Sequence, residues 1–150
     1  MPMMYGYSQN VHSYLNIRNG ASVTFIFNHL TDYQNGLSLP DYTSLGISFT
    51  DTTDLGVPAG PGWELTVRAM DAFVNGTTTA EKLDLNVVEL IVGGNTYTLT
   101  NIAQTIATGP ENDGTPVEVL ITYDVGKTNK INVAADDEFA VNLMFTLQSQ

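Results

Sequence analysis

Hydrophobic and polar residues alternate with a period of two along most of this chain. The clearest run is the last one, whose apolar face consists of Phe139, Val141, Leu143, Phe145 and Leu147. Because successive side chains of a strand point to opposite faces of a sheet, this spacing predicts a strand with one buried face. Such a strand needs a partner, since free sheet edges invite association.

Similar runs recur between turn residues throughout the sequence. The other predicted strands cover residues 11–18, 22–28, 45–49, 63–70, 83–92, 96–100, 117–125 and 130–133. Asn19-Gly20 is typical of a two-residue hairpin and predicts one between the first two strands. Residues 31–43 and 51–62 are predicted to be long irregular loops, which is where a binding function would be sought.

No segment keeps helical spacing, and the best helical candidate, residues 101–107, is better explained as a strand or turn. Eight to ten short strands predict an all-β fold, namely an antiparallel β-sandwich of jelly-roll or immunoglobulin-like type. The pattern leaves the choice between these two topologies open. We expect residues 19–150 to form the sandwich domain and residues 1–18 to be an extended N-terminal segment that could act as a donor strand.

Charge and composition narrow the range of partners. The chain has 5 Lys and Arg against 16 Asp and Glu, giving a formal net charge of −11. Nucleic acid and anionic membrane surfaces need clustered cations, so neither is expected as a partner. The sequence has no apolar run long enough to predict a membrane span. It has no cysteine, which excludes disulfides and thiolate chemistry.

Aromatic residues are concentrated near the N-terminus. Tyrosine has an apolar ring and a polar tip, which suits contacts between proteins. We therefore expect a docked N-terminal segment, and the predicted subunit-interface residues are Tyr5, Tyr7, Val11, Tyr14, Leu15 and Ile17.

The single tryptophan is the first candidate for ligand binding. Trp63 could offer a stacking surface to a sugar, together with Tyr33 and Tyr42. However, Trp63 shares its strand face with Leu65, Val67 and Ala69, and this favours a position in the core.

Carboxylates form a second candidate site. Oxygen ligands from Glu111, Asp113, Asp136 and Asp137 could hold a structural Ca²⁺, although clustered carboxylates are most often simply solvated. No other cofactor is expected. The two histidines stand in no catalytic motif, and the sequence lacks Gly-x-Ser-x-Gly, His-Glu-x-x-His and phosphate-loop patterns. We therefore predict no catalytic residues and no enzymatic activity.

Two short motifs suggest a family. Gly62-Trp63-x-Leu65 and Leu143-x-Phe145-x-Leu147 resemble the paired motifs of WxL-type domains of bacterial surface proteins, with Phe145 where that family has a second tryptophan. This resemblance implies cell-wall binding. The cysteine-free strands rich in threonine and asparagine, with the aromatic N-terminal segment, are similar in style to pilin-like fibre subunits.

These observations together predict a structural subunit of an extracellular or cell-surface filament. The N-terminal segment of one copy would complete a sheet in the next, so the principal partner is the chain itself. One alternative is a monomeric module that binds cell-wall or other surface polysaccharide. Another is a virion or phage jelly-roll component, which would assemble into closed shells.

Overall fold

The computed structural model describes residues 9–20, 22–53, 60–112, 115–132 and 137–150. These residues contain eleven strands, one α-helix and one 3-10 turn at Leu85–Val87. The elements are β1 Gln9–Asn19, β2 Ser22–Phe27, α1 Leu30–Asn35, β3 Leu37–Thr53, β4 Trp63–Ala69, β5 Val74–Gly76, β6 Lys82–Leu83, β7 Val88–Val92, β8 Asn95–Thr98, β9 Gln104–Gly109, β10 Val117–Val125 and β11 Asp137–Ser149.

The strands form two sheets, and every pairing in them is antiparallel. The first sheet has the order β1-β3-β10-β7-β8. The second has the order β6-β5-β11-β4-β9, and β2 also pairs with β11. This arrangement confirms the all-β antiparallel sandwich. The strand count exceeds the predicted eight to ten, because β5 and β6 have only three and two residues and are too short to show alternation.

The final strand is the best-connected strand of the second sheet. Its first part, Asp137 to Asn142, pairs with β2 on one side, while Phe139 and Ala140 pair with β5 on the other. Its second part, Leu143 to Ser149, pairs with β4. The partner that an apolar terminal strand requires is therefore supplied by three other strands of the same domain.

The core lies between the two sheets and follows the alternation of the sequence. In β4, Trp63, Leu65, Val67 and Ala69 are buried while the residues between them are half-buried. In β11, Phe139, Val141 and Leu143 are buried on one face. The first sheet contributes alternate residues of β3 and β10 to the same core, and these are Leu45, Ile47, Phe49, Val119, Ile121, Tyr123 and Val125.

Several local expectations are wrong, mainly because alternation does not report which strand pairs with which. Asn19-Gly20 does not form a hairpin: β1 pairs with β3 in the first sheet, while β2 pairs with β11 in the second. Residues 31–43 are not an irregular loop, since they contain most of α1 and the start of β3. The run 83–92 is interrupted by a 3-10 turn, and residues 130–132 form no strand.

Other local predictions are confirmed. β7 and β8 form a hairpin through Gly93 and Gly94, both of which have positive φ angles that favour glycine. Residues 104–109 are a strand rather than a helix. Among the described residues, no helix is long and apolar enough to cross a membrane.

The central position of β11 leads to a stability prediction. Phe139 is fully buried and stacks against Phe25 with 5.9 Å between ring centroids. Phe139→Ala should lower the free energy of unfolding by about 3–5 kcal/mol, because it removes apolar contact and leaves a cavity. Denaturant unfolding measures this effect. The matched control is Thr146→Ala on the exposed face of the same strand, where we expect a change within about 0.5 kcal/mol. Equal effects of the two substitutions would contradict the assignment of faces.

Candidate functional site

The edge strand β1 pairs with β3 along its length, and of its apolar side chains Leu15 packs against the core. Its register with β3 places Leu15 opposite Ile47 and Ile17 opposite Leu45. Directly opposite residues of antiparallel strands share a face, so these side chains point to the inner side of the sheet. Leu45 and Ile47 are fully buried, yet Val11 and Ile17 are 47% and 42% exposed. The edge of the core therefore lies beneath β1, where Leu15 is half-buried against it, and no side chain from Val11 to Asn19 is fully buried.

A buried hydrogen-bond chain holds the end of β1 that leads into β2. The Thr43 hydroxyl donates to the Gly20 carbonyl oxygen over 2.7 Å, and the Tyr123 hydroxyl lies 2.8 Å from the same threonine oxygen. Because the single Thr43 proton is directed to Gly20, Tyr123 is the donor to Thr43. Burial raises the pKa of the Tyr123 hydroxyl above its usual value, which keeps it in the neutral form that can donate. The turn after β1 is thus fixed to β3.

On the outer face, a side-chain contact crosses the sheet from β1. The Arg18 guanidinium lies over Gly46, where a Cβ would come within 2.9 Å of Arg18 Nη2. It reaches Glu118 of β10 with 3.7 Å between Nη1 and Oε2. Both side chains are exposed, so this ion pair contributes at most about 1 kcal/mol.

A second feature is a cleft between β9 and the first half of β10. Its volume is about 510 Å³, within the range of ligand sites. The lining comes from the first residue of β4, the β7–β8 turn, the end of β9 and the start of β10. Val117 of this lining is 41% exposed although it belongs to the inward-facing side of β10. This cleft was not predicted from the sequence, because it arises from the meeting of two sheets.

Trp63 lies at the base of the cleft. Its side chain is only 3% exposed, and its indole ring packs against Gly109, where a Cβ would lie 2.5 Å from Cζ2. Among the described residues, none offers an acceptor to the buried indole nitrogen. Leaving a buried hydrogen-bond donor without an acceptor costs free energy. A ligand that places an acceptor next to the indole nitrogen would therefore gain a stabilising hydrogen bond.

The other residues predicted for ligand binding lie elsewhere. Tyr33 donates a hydrogen bond to the Phe27 carbonyl oxygen, and its ring lies against Phe27. Tyr42 packs edge-on against Tyr123. Neither tyrosine lines the cleft with Trp63. Of the predicted interface residues, Val11, Tyr14, Leu15 and Ile17 all belong to β1, whereas Tyr5 and Tyr7 lie outside the described residues.

The predicted calcium ligands are only partly within the described residues, since Asp113 and Asp136 fall outside them. Glu111 is half-buried in the segment between β9 and β10. Where the structure describes the chain, no group of three or more His, Asp or Glu side chains could hold a metal ion.

Asp137 instead closes the turn after β5 with its carboxylate. Oδ1 accepts from the Thr78 hydroxyl at 2.6 Å and from the Thr78 amide at 3.2 Å, while Oδ2 accepts from the hydroxyl and amide of Thr79. The bonds from the Thr78 and Thr79 hydroxyls lower the pKa of Asp137 well below its usual value, against the opposing effect of burial. The run of three threonines after Gly76 is the sequence signal for this arrangement, since hydroxyls readily bond nearby acceptors.

Comparison with models of protein families matches none of them, and comparison with curated proteins finds no significant relative.

The Asp137 contacts predict a pH-dependent stability. A carboxylate whose pKa is lowered by folding stabilises the native state above its unfolded pKa of about 3.9, and this contribution is lost as the pH falls further. Asp137→Asn should therefore lower the thermal midpoint at neutral pH, and the difference from wild type should narrow below about pH 4. Thermal unfolding across pH measures this. The control is Asp84→Asn, an exposed residue whose side chain makes no capping bond; an equal effect there would contradict the assignment.

Proposed function

We propose that this chain is the structural subunit of an extracellular or cell-surface filament in which the N-terminal segment of one copy completes a sheet of the next. The observation that carries this proposal is the exposure of β1. From Val11 to Asn19 none of its side chains is buried, although the strand has an apolar face. The extracellular setting comes from the resemblance to surface fibre subunits.

Incomplete burial of the apolar side chains of β1 supports a role of the N-terminal segment in binding another copy of the chain. Fully burying a Val, Leu or Ile side chain contributes roughly 1.5–3 kcal/mol relative to exposure. Val11 and Ile17 are 47% and 42% exposed, so nearly half of that contribution is still available at these two positions. Leu15 packs against the edge of the core, but the buried residues of the core all come from other elements, so β1 retains apolar surface that a second copy could cover. Addition of a strand to a sheet edge obtains its affinity from backbone hydrogen bonds and its specificity from alternate side chains.

Charge also supports contact between copies through this segment. A chain with a formal net charge of −11 repels its own copies through most of its surface. β1 carries one arginine and no Asp or Glu, and residues 1–8 carry no charged side chain. The N-terminal segment is thus a part of the chain that can approach another copy without strong repulsion.

A donated segment joins different surfaces of the two copies. Such a contact does not close on itself unless the rotation between copies happens to form a ring, so its general product is a filament. A closed shell would support the virion alternative instead. The polysaccharide-binding alternative is favoured by one observation, the position of Trp63 at the cleft, although only 3% of that side chain is exposed for stacking.

Removal of residues 1–18 is the direct test. We expect the truncated chain to remain folded, because no buried side chain of the described residues is lost, and to form no filaments. Negative-stain electron microscopy over a series of protein concentrations measures assembly, and circular dichroism measures folding. Filaments formed equally well by the truncated chain would overturn the proposal, as would uniform monomers of the full chain under every condition.

Substitution on the apolar face of β1 provides a test in the full-length chain. Leu15→Asp with Ile17→Asp should raise the concentration needed for assembly, since Asp at these positions adds negative charge to the N-terminal segment of a chain whose copies already repel one another. The matched control is His12→Asp with Asn16→Asp, which adds the same number of charges on the opposite, exposed face of the strand and should have a smaller effect. An equal effect of both changes would indicate that charge alone controls assembly.

A further inference from the structure

The two neighbours of β10 differ in length, and this leaves part of its edge unpaired. β3 pairs with β10 from Val117 to Val125, whereas β7 pairs with it only from Thr122 to Val125. The Gly126 amide donates to Val87 on the β7 side, so alternation directs the backbone groups of Leu120 and Glu118 to that same side. Among the described residues, no strand pairs with this edge between Val117 and Ile121.

The unpaired edge borders the cleft described above. Val117, Glu118, Val119 and Leu120 line one wall, and Ala107 to Gly109 of β9 lie on the other. The site therefore combines unpaired backbone groups, an apolar lining and the buried indole nitrogen of Trp63, which has no acceptor among the described residues. An extended peptide suits all three features. Its amides and carbonyls can pair with the free backbone groups and the indole nitrogen, and its alternate side chains can fill the apolar lining.

We infer that the cleft receives residues 1–8 of a second copy of this chain, an inference that rests on the proposed filament function. Met3, Tyr5 and Tyr7 fall on one face of this segment if it is extended. Methionine adapts to irregular apolar surfaces, and tyrosine buries its ring while its hydroxyl stays near water. Their span of five residues equals that of the free edge from Val117 to Ile121.

Chain length requires that the segment comes from another copy. Gln9 pairs with Thr53 of β3, and Leu120 pairs with Ser44 of the same strand. Ser44 and Thr53 are nine residues apart in β3, which corresponds to about 30 Å along the strand. Met4 is five residues from Gln9 and can lie at most about 18 Å from it. Residue 4 therefore cannot reach Leu120 of its own domain while β1 stays paired with β3.

This assignment makes β1 an anchor rather than the exchanged strand. Its pairing with β3 extends from Gln9 to Asn19, and transfer of β1 to the shorter edge of β10 would lose backbone hydrogen bonds. Donation of residues 1–8 keeps that pairing intact. The mechanism therefore predicts that assembly continues when β1 is covalently held to β3.

Engineered disulfides test the inference, since the chain has no cysteine of its own. In the variant Met4→Cys with Leu120→Cys, oxidation of assembled protein should give a ladder of covalent multimers on a denaturing gel. The matched control is Met4→Cys with Ile26→Cys, because Ile26 is also an exposed apolar residue but lies on β2. We expect the ladder to form at least about tenfold faster in the first variant, because docking raises the effective concentration of the two thiols.

A second full-length variant separates failure of the inference from failure of the proposed function. His12→Cys with Thr50→Cys places two cysteines at directly opposite positions of β1 and β3. When oxidised, it should still assemble if residues 1–8 are the donor. Assembly lost on oxidation and restored on reduction would overturn the inference, because β1 itself would then be exchanged, while the filament function would stand.

Two other outcomes would also overturn the inference. One is filament formation with no multimer ladder beyond that of the Ile26→Cys control. The other is the same absence of a ladder together with a saturable change in Trp63 fluorescence on addition of N-acetylglucosamine oligomers, which would assign the cleft to a glycan. Filaments that persist after removal of residues 1–18 would overturn both this inference and the proposed donation of the N-terminal segment, whereas the absence of filaments from the full chain under every condition would overturn the filament function itself.

Discussion

The structure depends on the pairing of one strand, β11, over nearly its whole length. Its thirteen residues carry an unbroken apolar face at the start, and its backbone groups cannot be left unpaired near the core. β2 and β5 satisfy the first half from opposite sides, while β4 satisfies the second half. The second sheet is therefore assembled around β11, and the buried face of this strand supplies much of that sheet's side of the core.

Unequal strand lengths decide where the sandwich is open. β10 has nine residues but its neighbour β7 has five and pairs only with the end of β10, so among the described residues the start of β10 has no strand on that side. β1 covers the outer edge of β3, and only the edge of the core, at the half-buried Leu15, extends beneath it. Natural sheets usually protect such edges with charge, proline or short strands. The free edge of β10 carries one charged residue, Glu118, among apolar neighbours, so it is only partly protected and remains open to strand addition.

Two sets of polar contacts stabilise turns of the sandwich, where the alternation of apolar and polar residues does not apply. The Asp137 carboxylate binds the threonine turn after β5 through both of its oxygens. The chain of hydroxyls from Tyr123 through Thr43 holds the Gly20 carbonyl and so fixes the point at which β1 leaves the domain. Both use neutral hydroxyl donors rather than ion pairs, which suits an acidic chain with few cations. The contacts with Thr78 and Thr79 give Asp137 a structural role in the described part of the chain.

The sequence by itself determined the class of fold and the inner face of the strands, because burial on one face of a sheet imposes a period of two on the residues. Trp63 with Leu65 and Val67, or Phe139 with Val141, could be assigned to the core in this way. The tertiary structure alone decided that β1 pairs with β3 instead of β2, and that Trp63 lies beneath a cleft. Partner choice depends on contacts between residues far apart in the chain, and local alternation carries no information about them.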